Sequence, residues 1–167
     1  MTSLYGIGLY SLLLAQNIFV VSSIRTIALL SSARTVAFSM TILTYFFLSN
    51  VVFSLHFNIF ITLLIFFVFS FPLILESLWT YTLESKLLAY SYWEFPLAIC
   101  LVETALVLWF WPVMPTIAAL FMTGLFYMMI GISQVWFEKR LFKSVMWEYV
   151  WVGGLIFLIF LFFAIRG

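Results

Sequence analysis

Residues 95–137 read FPLAICLVETALVLWFWPVMPTIAALFMTGLFYMMIGISQVWF, a run of 43 residues whose only formal charge is Glu103. A helix needs roughly 20 apolar residues to cross about 30 Å of hydrocarbon, so this run has the length of two crossings. Trp111-Pro112-Val113-Met114-Pro115 lies near its middle. Proline lacks the N–H that the interior of a helix requires but is tolerated at a helix's first position, so the two prolines can stop one helix and start the next. The run is therefore a helical hairpin turning at Trp111 to Pro115, with spans at 95–111 and 115–137. Working outward, Thr35 to Leu75 is a second uncharged run, 41 residues long, and is read the same way. Both arms must cross the same bilayer, so the turn belongs near the midpoint, where Ser54, His56 and Asn58 cluster; this gives spans 35–53 and 58–75. A turn at Ser49-Asn50 is the alternative, and it leaves a first arm of only about 14 residues, below the usual minimum. Ser3 to Ile24 is uncharged despite Gln16 and Asn17, and Tyr149 to Ile165 is closed by Arg166. The expected fold is all-α, a polytopic transmembrane bundle of six spans (3–24, 35–53, 58–75, 95–111, 115–137, 149–165) in a single integral membrane domain, 1–167.

Composition points the same way. Of 167 residues, 66% are hydrophobic and 8% charged, against about a quarter charged in water-soluble domains. Seven Lys+Arg against six Glu offer no basic face for nucleic acid. One cysteine, Cys100, and one histidine, His56, can build neither an intramolecular disulfide nor a Cys/His zinc site. No metal or cofactor is expected.

With six spans, Arg25, Arg34, Lys86, Lys139, Arg140 and Lys143 fall on one side, and only Arg166 on the other. The positive-inside bias makes that side cytoplasmic and puts both termini outside. The first span has no Lys/Arg-rich start and no clear small-x-small site, so it is read as a span and not as a cleaved signal. The loop from Glu76 to Glu94 carries Trp79, Tyr81, Tyr90, Tyr92 and Trp93, rings that prefer the headgroup layer. In the loop from Glu138 to Glu148, Lys139, Arg140 and Lys143 form an interfacial basic cluster suited to anionic lipid.

Glu103 is the one ionisable residue well inside a span, about eight residues, or roughly 12 Å, from the span's cytoplasmic end. A carboxylate at that depth is costly, so it is expected to be protonated or to face a wet cavity or a polar partner. Proton relay, cation coordination and a hydrogen bond between helices all fit one such group. Asn17 and Gln16 lie at a similar depth in the first span, and Thr41 and Thr44 in the second, which makes them its expected partners. His56 falls at an outer turn, where a solvated imidazole is ordinary. Gly124 and Gly131 share a face of the fifth span and Gly153-Gly154 open the sixth; small residues there let helices approach closely in lipid. The Phe-rich stretches suit lipid-facing surface. Motifs for zinc proteolysis, serine hydrolysis and nucleotide binding are absent from the sequence, as is the Asp pair of an intramembrane aspartyl protease.

The run Trp111 to Pro115, then Glu138-Lys139-Arg140-Leu141-Phe142-Lys143 and Glu148-Tyr149, resembles uncharacterised polytopic bacterial membrane proteins over the last third of the chain. The resemblance implies a bacterial cytoplasmic membrane and carries no activity with it. The expected function is non-enzymatic: an accessory, scaffold or assembly partner whose partners are the lipid bilayer and other membrane proteins or further copies of itself. The alternative is a small transporter or channel for protons or a small solute using Glu103.

Overall fold

The computed structural model describes residues 2–22, 30–82, 91–137 and 143–166. Within them lie six helices and no strand: α1 (Thr2–Ser22), α2 (Leu30–Ser54), α3 (Ile59–Thr82), α4 (Ser91–Phe110), α5 (Pro115–Phe137) and α6 (Lys143–Arg166). Five of them contain stretches long and apolar enough to cross a membrane, at Ser32–Ser54, Ile59–Thr80, Tyr92–Phe110, Pro115–Trp136 and Trp147–Ile165; the apolar stretch of α1, Gly6–Val21, is shorter.

Both hairpins turn where the sequence places them. Between α2 and α3 the chain reverses over Leu55–Asn58, with His56 in the left-handed region at φ 46°. The Asn58 side chain accepts a hydrogen bond from the Phe60 N–H, 3.4 Å, and its carbonyl from the Thr62 N–H, 2.9 Å, which caps the start of α3. The alternative turn at Ser49-Asn50 lies inside α2. Between α4 and α5, Pro115 takes the first helical position, and the N–H groups of Ile117 and Ala118 both find the Met114 carbonyl.

The expected boundaries need correction at the opposite end of the bundle. There α2 starts at Leu30 and not at 35, α3 continues past 75 to Thr82, α4 starts at Ser91 and not at 95, and α6 starts at Lys143 and not at 149. Charged residues do not stop a helix once its own backbone hydrogen bonds are made; Arg34, Glu76, Glu94 and Glu148 all lie within helices. Glu76 and Arg34 are held by cross-helix hydrogen bonds, Gln16 Nε2 to Glu76 Oε1 at 3.1 Å and Arg34 Nε to the Thr80 carbonyl at 3.1 Å, which ties α1 to α3 and α2 to α3.

The antiparallel pairs α2/α5, α3/α4 and α5/α6 make the closest helix packing, and α1 rests on α2. Tyr45, Phe66, Met122, Phe126 and Ile130 are completely buried and fill the interior. Tyr45 stacks on Phe126 at 4.3 Å, meets Phe69 edge-on, and accepts a hydrogen bond from the Ser70 hydroxyl, 3.4 Å. The outer surface is the reverse of a soluble protein's: Phe47, Phe60, Leu64, Val68, Phe110 and Leu158 are exposed, the distribution that an apolar solvent selects.

Candidate functional site

The residue that the sequence marks most sharply, Glu103, lies midway along α4. Because α4 begins at Ser91, the carboxyl stands twelve residues from that end, about 18 Å at 1.5 Å per residue, deeper than the 12 Å expected from the charge-free run. It is exposed, on a face shared with Cys100, Thr104 and Val107. That face is one wall of a cleft of about 400 Å³, with Phe121 and Leu125 of α5 as its floor and Phe157 and Leu161 of α6 as its far wall. The Thr104 hydroxyl is turned back onto the Cys100 carbonyl at 2.9 Å. Among the described residues nothing hydrogen-bonds to or forms an ion pair with Glu103.

The structure does not bring the expected partners to it. Gln16 is engaged with Glu76, and Asn17 is exposed on α1. The hydroxyls of Thr41 and Thr44 donate to the carbonyls of Ala37 and Met40, each within α2. Equal depth is not proximity: α1 packs on α2, and the face of α4 that carries Glu103 looks toward α6.

A second polar group collects where α4 begins and where α3 and α5 end. Ser77, Thr80, Glu94 and Gln134 are all buried there. Among the described residues Ser77 Oγ, Glu94 Oε2 and Gln134 Nε2 have no hydrogen-bond partner. Trp93 and Trp136, ring centroids 6.3 Å apart, hold the start of α4 against the end of α5. From sequence, Glu94 and Glu76 are loop boundaries; in the structure the helices continue through both, which buries Glu94 and half-buries Glu76. At the opposite end, His56 borders a cavity of about 160 Å³ together with Trp109 and Trp111, and the Trp109 indole N–H donates to the Phe57 carbonyl at 3.3 Å.

The glycines separate into two kinds. A Cβ on Gly124 would lie 2.5 Å from Ile156 Cδ1, and one on Gly131 or Gly153 would run into Tyr149 or Met128, so all three sit in the α5/α6 contact. A Cβ on Gly154 would meet nothing within 4 Å. Of the interfacial basic residues, Lys143 opens α6, whereas Lys139 and Arg140 lie outside the described residues. No cluster of three or more His, Cys, Asp or Glu that could hold a metal ion occurs among the described residues.

Residues 2–163 match the family described as "Protein of unknown function (DUF5656)". No curated protein and no solved structure matches the chain.

Proposed function

The chain belongs to DUF5656, a family of unknown function, and from its geometry we propose an integral membrane protein that works through lateral contact between helices, as an accessory or assembly partner of other membrane proteins. The observation that carries this reading is the direction of Glu103. The interior along the bundle axis is closed by Tyr45, Phe66, Met122, Phe126 and Ile130, while the one mid-span carboxyl opens sideways onto an apolar cleft. A carboxyl placed for conduction through a monomer would be expected to line an axial, wet path; one placed for assembly faces the side from which a neighbour arrives. The reading has no catalytic step. It places the protein in a bacterial cytoplasmic membrane with the Lys/Arg-rich connections inside, as the positive-inside bias favours.

The test is proton flux in proteoliposomes holding the full chain, beside Glu103→Gln. Flux at the level of empty liposomes for both is the expected result. Flux in the wild type that disappears in Glu103→Gln would overturn the assembly reading and install the alternative, transport through Glu103.

A further inference from the structure

Glu103, on the α4 wall of the cleft, and Gly154, on the α6 face that carries its far wall, lie at one depth. Trp93 packs on Trp136, so ten residues along each antiparallel helix Glu103 of α4 stands level with Phe126 of α5. Gly124 packs on Ile156, so two residues along that pair Phe126 stands level with Gly154 of α6. Gly154 shares its helix face with Phe157 and Leu161, the residues that wall the cleft, because positions three, four and seven apart stack on one side of a helix. The cleft thus has on one lip a carboxyl with no partner among the described residues, and at the same level the facing helix has a position without a side chain and with open space before it. Gly154 allows a close approach of helix backbones, and Glu103 supplies a charge that no described residue balances.

We propose that this cleft receives a transmembrane helix of a different membrane protein, one carrying a lysine or arginine midway along its length, and that this cation pairs with Glu103. The proposal rests on the assembly reading above and names the chemistry of the partner. Charge complementarity selects the occupant: an unpaired carboxylate in hydrocarbon is costly, and a cation in hydrocarbon is costly, so each removes the other's penalty on docking. Among the described residues, no lysine or arginine of the chain itself lies at this depth. Arg34 lies in the second turn of α2, and Lys143 and Arg166 are the first and last residues of α6.

The cleft provides its own reporter, because Cys100, one turn from Glu103, is the only thiol in the chain and is exposed. The full-length protein in phosphatidylcholine vesicles is mixed with synthetic Leu/Ala transmembrane peptides of about 23 residues. Their central residue is Lys, Gln or Leu, with a Cys one turn away. Disulfide capture of Cys100 under copper-phenanthroline is measured against peptide concentration. The expected result is capture of the Lys peptide at about a tenfold lower concentration than the Leu peptide. That preference should be lost in Glu103→Gln, and capture of every peptide should be weakened in Gly154→Leu. Tryptophan emission of both variants should match the wild type, showing that the bundle is intact. Equal capture of Lys and Leu peptides, or of Lys and Gln peptides, would overturn the cation pairing while leaving lateral docking in place. Capture of no peptide by the wild type would overturn both.

Discussion

The two flanks of α5 solve the same packing problem in opposite ways. Toward α2 and α3 its side chains are closed in: Phe126 is fully buried against Tyr45, whose hydroxyl is hydrogen-bonded to Ser70. Toward the gap between α4 and α6 it leaves a cleft, in which a carboxyl has no partner among the described residues. The glycines repeat the contrast along the α6 side, where Gly124, Gly131 and Gly153 are covered by side chains and Gly154 is not. Along the α5/α6 contact the small residues are filled; beside the cleft an open glycine and a carboxyl without a described partner are left at the same level. On the assembly reading proposed above, that pairing marks the cleft as the surface that receives a neighbour, since hydrocarbon disfavours an unpaired carboxyl.

The contrast is broken most forcefully on the closed side. Phe126→Ala removes the ring on which Tyr45 stacks, and is expected to cost about 3–5 kcal/mol, the usual range for a buried aromatic truncated to alanine; urea or SDS titration of the purified protein followed by tryptophan emission measures it. A loss below about 1 kcal/mol would mean that this flank is not the closed core described here. Next comes a matched pair of glycine substitutions. Gly131→Leu drives a side chain into the Tyr149 ring and is expected to destabilise by about 1–3 kcal/mol, the cost of overpacking. Gly154→Leu enters open space and is expected to stay within about 0.5 kcal/mol of the wild type. Equal effects of the two in the same titration would remove the distinction between covered and open glycine.

Much of this was legible in the chain. The hairpin at Trp111 to Pro115 announces itself by length and by two prolines, and the turn after Ser54 by equal division of an uncharged run; both depend only on what a bilayer requires of a helix. The helix ends near Arg34, Glu76, Glu94 and Lys143 were not legible, because charge marks where the hydrocarbon ends and not where backbone hydrogen bonding ends, and half-buried polar contacts such as Gln16 with Glu76 lie on the extended helices. Glu103 was visible as a solitary charge, but not the direction it faces. Apolar residues surround each helix on every side, so no hydrophobic stripe fixes its rotation, and Gln16 was matched to Glu103 by depth alone. Gly154 was indistinguishable from Gly153 for the same reason; one rotation step of a helix decides which of two adjacent glycines is covered.

At Glu103 the expected effect is small and has the opposite sign. Glu103 makes no hydrogen bond or ion pair among the described residues, and its carboxyl borders an apolar cleft lined by Phe121, Leu125 and Phe157. Glu103→Leu replaces a group that the surrounding hydrocarbon disfavours by one that it favours, and is expected to raise stability by about 0.5–1 kcal/mol. Residues kept for an internal structural bond lose stability when replaced, as Gln16→Leu should by about 0.6 kcal/mol through loss of its hydrogen bond to Glu76. The two substitutions, compared in one SDS titration, separate a carboxyl that serves the bundle from one that serves something outside it. A drop in stability for Glu103→Leu as large as that for Gln16→Leu would place Glu103 among the bundle's own supports and leave the cleft without a reason to be charged.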